Sequence, residues 1–247
     1  MIRAAWRGAL RRVPPQLAER VFQSWVNVTA ERSDAAAALR RLFALDDHLQ
    51  REIDRSAIRY DGGVHAKHRL TGYHDFFVER VRPGERVLDV GSGKGELAHD
   101  LAVRAGADVT GIDVKGPSLA FARGRFRHER LRFLERNALE ALPDGPFDAV
   151  VLSNVIEHLD ARVDLLGRIA RELRPRCVLI RVPAEDRHWH VPLRRELGLP
   201  WFSDPSHVVE YDLRRLGAEL HEAGLEPVEM QSRWGELWAE ARPAPGG

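Results

Sequence analysis

Apolar positions recur at helical spacing along the first 60 residues of this 247-residue chain. In PQLAERVFQSWVNVTA, the residues Leu17, Val21, Trp25 and Val28 fall three or four positions apart, and SDAAAALRRLFALDDHLQREIDRSAIRY repeats the pattern. This spacing places apolar side chains on one face of a helix. We therefore expect residues 1–60 to form an N-terminal helical extension.

Beyond Gly62–Gly63, short apolar runs alternate with helical patterns. The runs RVLDV, DVTGIDV, LRFLER, FDAVVLS and CVLIRVP predict strands at residues 86–90, 108–114, 131–136, 147–153 and 177–183. The last segment, EPVEMQSRWGELWAEARP, alternates around Gly235 and predicts an antiparallel hairpin. Strict alternation of strands and helices implies a parallel sheet with helices on both faces. For residues 61–247 we expect a Rossmann-like, doubly wound α/β fold with a seven-stranded, mostly parallel sheet that ends in this hairpin.

The composition is that of a soluble globular protein, with 44% hydrophobic and 30% charged residues. The 38 basic and 37 acidic residues leave a formal charge of +1, so no overall field attracts nucleic acid. We expect no DNA partner, and an RNA site would need a longer basic track than Arg194–Arg195 supplies. A single cysteine, Cys177, excludes an internal disulfide and a cysteine-rich zinc site.

No targeting or membrane-spanning segment is recognisable. No run approaches the ~18 apolar residues of a membrane span, so no integral membrane association is expected. The basic start, MIRAAWRGALRRVPP, lacks an apolar centre and a small-residue cleavage site, and we interpret it as a surface helix. A peripheral membrane contact of this segment is the alternative. These features predict a cytoplasmic protein.

A glycine-rich loop follows the first predicted strand. Asp89 ends the strand, and Gly91, Gly93 and Gly95 then open a helix in VLDVGSGKGELA. Glycines at such a turn allow positive φ and a close approach of the backbone to a ligand. The spacing is neither that of a dinucleotide site, because position 96 is Glu, nor that of a phosphate-binding loop, which ends in Gly-Lys-Ser/Thr. An acidic side chain at this place repels a pyrophosphate and suits an ammonium group.

VLDVGSGKGELA resembles the first motif of the class I S-adenosylmethionine-dependent methyltransferases, and VTGIDV, RNAL and FDAVVLSNVIEHL resemble three further motifs in the same order. The resemblance covers residues 65–243 and is of the type 11/12 kind, with a looser likeness to the bacterial glycan and small-molecule subgroup. It implies S-adenosylmethionine as cofactor. The cofactor-binding residues that it implies are Asp89, Gly91, Ser92, Gly93, Gly95, Asp113, Val114, Asn137, Ala138 and Asn154. One departure, Gly116–Pro117, is expected to reshape the adenosine edge.

Two segments are candidates for binding the acceptor. GGVHAKHRLTGYHDFF precedes the core fold, and its Lys67 and Arg69 are expected to bind the cofactor carboxylate or an anionic substrate; a solvated helix start is the alternative. The acceptor segment, residues 184–210, is a long insertion rich in aromatic residues, histidine and arginine, including Trp189. Connections of this length are usually functional. We expect it to bind a small molecule or a saccharide, while a helical cap packed on its own aromatic residues is the alternative.

The stretch SNVIEHLD follows the fourth predicted strand. If it is helical, Asn154, Glu157 and His158 lie on one face at the carboxyl edge of the sheet. Two branches of the resembled family, a small-RNA 2′-O-methyltransferase and a quinone-pathway O-methyltransferase, hold a divalent metal with a similar E-x-x-E-H, and the RNA branch adds a later histidine that His207 in HVVEY matches. Here Asn154 replaces the first Glu, so a metal at Glu157, His158 and His207 stays open but is not favoured.

We instead expect Glu157 to orient the substrate edge and a histidine to act as general base, the candidates being His158, His190 and His207. A helix start with a favourable Glu is the plain alternative. The predicted activity is methyl transfer to an oxygen, or a nitrogen, of a small molecule or saccharide. Three alternatives remain: a metal-assisted enzyme like the RNA 2′-O-methyltransferases, a regulatory protein that binds the cofactor without catalysis, and a nicotinamide-dependent oxidoreductase, which the glycine spacing disfavours. A homodimer also stays open.

Overall fold

The computed structural model describes residues 12–31 and 34–245. Most of the basic start, for which we expected a surface helix, lies outside the described residues. The described chain divides into two compact units. One consists of the residues up to Ala66 together with Glu196–Leu199, and the other of Lys67–Arg195 with the residues from Pro200 onward.

The described residues of the first unit include the helices α1 (Pro15–Glu31) and α2 (Ala35–Tyr60). Asp34 caps α2, because its side chain accepts a hydrogen bond from the backbone N–H of Ala37 at 3.0 Å. Helices are thus present where the apolar spacing predicted them. No helix in the described part of the chain combines the length and the apolar character that a membrane crossing requires.

The second unit is built on one seven-stranded sheet with the order β3-β2-β1-β4-β5-β7-β6. The strands are β1 (Arg86–Val90), β2 (Asp108–Asp113), β3 (Leu131–Glu135), β4 (Ala149–Ser153), β5 (Cys177–Pro183), β6 (Leu225–Arg233) and β7 (Glu236–Pro243). The first five pair in parallel, whereas β7 runs antiparallel to both β5 and β6. The predicted Rossmann-like sheet with its terminal hairpin is therefore confirmed. The hairpin turns at Trp234 and Gly235, which both have positive φ, 57° and 74°.

Helices precede the first strand and separate most of the others. They are α3 (Lys67–Leu70), α4 (Asp75–Val78), α5 (Glu96–Arg104), α6 (Gly116–Arg125), α7 (Arg162–Arg168), which continues as a wider helical turn (Ile169–Leu173), α8 (His190–Glu196) and α9 (Leu213–Glu222). Side chains alternate between two cores, as β1 illustrates: Val87 is buried in one core, Leu88 and Val90 in the other. Burying each such side chain stabilises the fold by about 1.5–3 kcal/mol.

The sequence after β4 differs from expectation. Asn154 adopts a left-handed conformation with φ 56°, and a single tight turn (Ile156–His158) follows in place of an α-helix. The next helix, α7, begins only at Arg162. The prediction that Asn154, Glu157 and His158 share one helical face is therefore wrong, because the positive φ of Asn154 interrupts helical geometry at the strand end.

Candidate active site

The loop between β1 and α5, Gly91–Gly95, is here called the cofactor loop. Its three glycines have φ angles of 70°, 54° and 83°. A Cβ on Gly91 would come within 2.6 Å of Cγ2 of Val155, and one on Gly95 within 2.6 Å of the Phe133 ring. These two positions need glycine both for their conformation and for their close neighbours.

Asp113 at the end of β2 holds the cofactor loop in place. Its Oδ2 accepts a hydrogen bond from the backbone N–H of Gly93 at 2.9 Å, and its Oδ1 accepts one from the backbone N–H of Lys115 at 2.7 Å. Because each carboxylate oxygen can accept a second bond, the side chain keeps acceptor capacity for a ligand hydroxyl.

A cavity of about 500 Å³ opens at the carboxyl ends of β1, β2 and β4. This volume is within the range of small-molecule sites, and the position agrees with the rule that ligands bind parallel sheets where the strand order reverses. The predicted residues that line it are Gly91, Gly93, Asp113, Val114, Asn137, Ala138, Asn154 and His158.

Three predicted cofactor residues do not line this cavity. Ser92 and Gly95 are buried residues of the cofactor loop itself, and Asp89 is only 2% exposed. Burial, with a further contribution from the charge of Asp113, raises the pKa of Asp89 to about 8. Its Oδ2 has no hydrogen-bond partner within the described chain. Cofactor contacts of these three residues stay predictions.

Asn137 lines the cavity but uses its side chain locally. Its Nδ2 donates to Oε1 of Glu140 at 2.9 Å, and its Oδ1 accepts from the backbone N–H of Leu139 at 3.0 Å. The hydrogen bonds of the Asn137 side chain thus stabilise the local turn. The neighbouring Ala138 and Leu139 form an apolar part of the cavity wall.

Neighbouring residues of the turn after β4 have different surroundings. His158 lines the cavity. Glu157 is fully buried, and neither of its carboxylate oxygens has a hydrogen-bond partner in the described structure. Burial raises the pKa of Glu157 to about 8, and the charges of Glu236 and Glu210 add to the effect. The Glu157 side chain thus lies behind the wall that His158 forms.

The acceptor segment brings a second histidine to this turn. The rings of His158 and His207 lie 4.6 Å apart between centroids. His207 is 8% exposed, and burial, followed by the charge of His158, lowers its pKa. Its Nδ1 lies 3.4 Å from Oε1 of Glu210. Glu157, His158 and His207 each offer a ligand atom within 4.8 Å of the others, so the structure does bring the candidate metal ligands together.

Four other predicted residues lie away from the cavity wall. His190 packs on His188 and Trp189, with ring centroids 3.9 and 4.2 Å away, and Trp189 is 68% exposed. The Lys67 ammonium lies 3.9 Å from Glu236 and over the Tyr73 ring. The fourth is Arg69. Roles of His190, Trp189, Lys67 and Arg69 in binding or catalysis remain predictions.

Sequence reasoning missed part of the site. The lining residues that it did not name include Lys115, Ser118, Arg136, Leu139, Val155, Leu159 and Ser206. It also missed Arg181 of β5, which is 1% exposed and lies within CVLIRVP, a run that otherwise predicts an apolar strand. Arg181 stacks on Tyr73 at 3.5 Å, donates to Ser153 Oγ at 3.1 Å and lies 2.7 Å from Oε2 of Glu236. A lone charge in a buried strand pattern was the available signal.

Residues 88–180 match a protein family described as a methyltransferase domain. The chain is 40% identical over 105 residues to a demethylmenaquinone methyltransferase of Thermus thermophilus, a match that covers 40% of this chain and 48% of the relative. It is 35% identical over 116 residues to the O-methyltransferase rstn1 of Aspergillus nomiae, covering 44% of this chain and 51% of the relative. The chain thus spans about half the length of these curated relatives.

Solved structures share the architecture. The magnesium protoporphyrin IX methyltransferase of Synechocystis PCC 6803, solved with bound SAH, superposes with a TM-score of 0.58. It is 18% identical, and the match covers 73% of this chain and 85% of that chain. At this identity the likeness shows the fold alone. The family match over residues 88–180, the relatives and the sheet topology together support a class I S-adenosylmethionine-dependent methyltransferase domain in this part of the chain.

Proposed function

We propose that the protein transfers a methyl group from S-adenosylmethionine to an oxygen, or a nitrogen, of a small molecule or saccharide, with His158 as the general base. One observation carries the proposal: His158 lies in the wall of the same cavity as the cofactor loop and Asp113. An oxygen nucleophile of high pKa gains from a base within reach, and histidine serves this role near neutral pH.

The side chains around the cavity fit the cofactor. When bound, its sulfonium supplies an activated methyl group for in-line displacement. Asp113 retains acceptor capacity for the ribose hydroxyls, and Val90, Ile112 and Leu139 provide apolar surface for an adenine ring. The buried carboxyl of Asp89 suits the ligand ammonium, whose charge would offset the cost of ionising Asp89.

An oxygen acceptor is the first choice because one relative is named an O-methyltransferase. The chain spans about half of that relative, so the acceptor is proposed from this site. Lys67, Arg69, Trp189 and Glu157, which do not line the cavity, remain predicted acceptor contacts. A cytoplasmic location and a homodimer also remain predictions.

The test is a turnover measurement with the His158→Ala variant. Purified protein is incubated with S-adenosylmethionine and a panel of phenols, catechols and saccharides, and S-adenosylhomocysteine is quantified by mass spectrometry. Loss of the base should lower kcat by about 100- to 10,000-fold. Calorimetry should give an unchanged cofactor Kd, because the base acts on the acceptor.

His221→Ala is the matched control, since this half-exposed histidine of α9 lies outside the cavity wall. It should keep wild-type turnover. His190→Ala and His207→Ala are measured in parallel to compare the three candidate bases. Full turnover of His158→Ala would refute the assignment of the base. Cofactor binding without turnover across the panel would instead favour the non-catalytic, regulatory alternative.

A metal-assisted reaction is the second candidate, favoured by the cluster of Glu157, His158 and His207 within 4.8 Å and by the two partnerless oxygens of Glu157. The group contains one carboxylate and two imidazoles, a set that suits zinc or manganese better than magnesium. Wild-type protein treated with EDTA and Glu157→Gln are assayed with and without Mn²⁺. If Mn²⁺ restores turnover of the EDTA-treated wild type but not of Glu157→Gln, the metal-assisted reaction is selected. If turnover is the same with and without metal, the metal-free proposal is supported.

A further inference from the structure

The acceptor segment returns to the turn after β4 through a short hydrogen-bonded chain. The hydroxyl of Ser206 lies 3.1 Å from Nδ1 of His158. The same hydroxyl donates to Oδ1 of Asp204 at 2.5 Å, and the backbone N–H of Ser206 donates to that oxygen at 2.8 Å. Ser206 and His158 both line the cavity. The chain Asp204–Ser206–His158 therefore ends at the wall where the acceptor would bind.

Proton counting along this chain leaves one consistent assignment. Ser206 has a single hydroxyl proton, and an ionised carboxylate only accepts. Oδ1 of Asp204 accepts both the side-chain and the backbone hydrogen bond of Ser206, and Asp204 is exposed, an arrangement that fits an ionised carboxylate. A bond to a carboxylate is stronger than one to a neutral ring nitrogen, and the contact to Asp204 is also the shorter one. The hydroxyl proton therefore goes to Asp204, and the remaining contact is made by a proton on Nδ1 of His158.

We propose that Asp204 and Ser206 are positioning residues that fix neutral His158 as the tautomer protonated on Nδ1, which leaves Nε2 as the free proton acceptor. The proposal rests on the proposed function, in which His158 takes the proton of the acceptor hydroxyl. The hydrogen bond at one ring nitrogen of a histidine sets the protonation of the other. A histidine with mixed tautomers would present a usable lone pair for only part of the time.

Other groups around His158 do not provide this bond. The second histidine, His207, contacts the ring of His158 edge to face, and its own Nδ1 lies near Glu210 and Ser203 Oγ. The backbone contact that joins the two segments, from Val208 N–H to Glu157 O at 2.9 Å, engages no side-chain atom of His158. Within the described chain, Ser206 is thus the residue whose hydroxyl meets Nδ1 of His158.

Nuclear magnetic resonance tests the tautomer directly. Full-length protein labelled with ¹⁵N at histidine is measured near pH 8 by long-range ¹H–¹⁵N correlation, with His158 assigned from the His158→Ala spectrum. The expected wild-type pattern has a protonated Nδ1 and a bare Nε2. Ser206→Ala and Asp204→Asn should shift His158 toward mixed tautomers, whereas Ser206→Thr, which keeps the hydroxyl, should retain the wild-type pattern.

Ser203→Ala is the matched control, because it removes a hydroxyl that lies 3.3 Å from Nδ1 of His207 and not one beside His158. Its His158 signals should match those of the wild type. In turnover, Ser206→Ala should lower kcat about 10- to 100-fold while the cofactor Kd stays within about threefold, and Ser206→Thr should restore most of kcat. All of the substituted side chains are exposed, so the variants are expected to fold.

Two results would overturn the proposal: a wild-type His158 protonated on Nε2, or a Ser206→Ala spectrum identical to the wild type at His158. These readings do not depend on turnover. If no acceptor is methylated, the proposed function fails while the spectra still decide the role of Asp204 and Ser206.

Discussion

The two halves of the cavity wall are built in different ways. The cofactor half consists of the cofactor loop and Asp113, and it is set by backbone conformation and by a hydrogen bond between residues 20 apart. The acceptor half consists of the turn after β4 and the acceptor segment, which meet through a contact between residues 48 apart. The two halves also differ in the number of buried ionisable side chains behind them. Behind the acceptor half, Glu157, Arg181, His207 and Glu210 are buried, whereas Asp89 is the buried acid beneath the cofactor loop.

This difference shows where each half derives its stability. Positive φ and close packing fix the cofactor half, so its geometry depends on small residues. The acceptor half depends on pairing buried charges, and removing one partner leaves another charge uncompensated in a medium that solvates it poorly. The halves approach each other closely at Gly91, where an added Cβ would come within 2.6 Å of Val155, the residue before the turn after β4.

The largest effect is expected from Arg181→Met, behind the acceptor half. The variant removes the nearer of the two cations beside Glu236, leaving Lys67 at 3.9 Å, and also removes the ring contact with Tyr73. Glu236 then remains beside buried Glu157. The free energy of unfolding should fall by about 3–5 kcal/mol, measured by urea denaturation. Arg233→Met is the control, because Arg233 is exposed; it should stay within about 0.5 kcal/mol of wild type. A loss below about 1 kcal/mol for Arg181→Met would mean that the pairing of these charges contributes little.

Gly91→Ala tests the contact between the two halves. Its φ of 70° is strained for alanine, and the added Cβ meets Val155 at 2.6 Å. The expected loss is about 2–3 kcal/mol of unfolding free energy, together with much weaker cofactor binding in calorimetry. Gly84→Ala shares the positive φ, 79°, with open space around the Cβ, and should lose only about 1 kcal/mol. Adding Val155→Ala should recover the difference; no recovery would contradict a steric origin.

Asp89→Asn is expected to have the smallest effect. It tests how much free energy the ionisation of buried Asp89 costs the folded protein. The folded-state pKa of Asp89 is raised from 3.8 to about 8, so the native protein keeps a proton that the unfolded chain has lost. The raised pKa of Asp89 therefore makes the free energy of unfolding depend on pH: its contribution is complete below pH 4 and is lost as the pH rises toward 8. The variant should remove this slope. Because a buried amide without a partner is itself costly, the net gain at pH 8 is about 1 kcal/mol.

Denaturation curves between pH 5 and 9 measure this slope. Asp108→Asn, at the more exposed start of β2, should reproduce the wild-type pH dependence. An unchanged slope in Asp89→Asn would show that Asp89 titrates at its ordinary pKa in the folded protein.

Much of the fold followed from the sequence. The alternation of runs such as RVLDV and CVLIRVP predicted β1 and β5 at the residues where they occur, and the Gly235 turn predicted the hairpin. Short-range regularities of this kind report the period of each element and the conformations that only glycine adopts readily. For the same reason the glycine pattern pointed to Gly91 and Gly93, whereas Asp113 was indicated by the resemblance of VTGIDV to a family motif; all three line the cavity.

The site after β4 was predicted less well. Its residues were recognised as chemical candidates, but a helical register was assumed that the left-handed Asn154 prevents. Nothing in the local pattern separates buried Glu157 from His158 in the cavity wall, and Arg181 stands in a run that predicts an apolar strand. Burial and pairing at these positions depend on residues far away in the chain.

The sequence by itself therefore determined the order of strands and helices, the cofactor loop and the set of chemically capable side chains, because these depend on local conformation and periodicity. Only the tertiary structure decided which of those side chains meet. Ser206 reaches His158, and Arg181 pairs with Glu236, through contacts that close long loops of chain. The physical reason is that the ionisation, tautomer and exposure of a side chain follow from the groups that surround it in the folded protein, whatever their distance along the sequence.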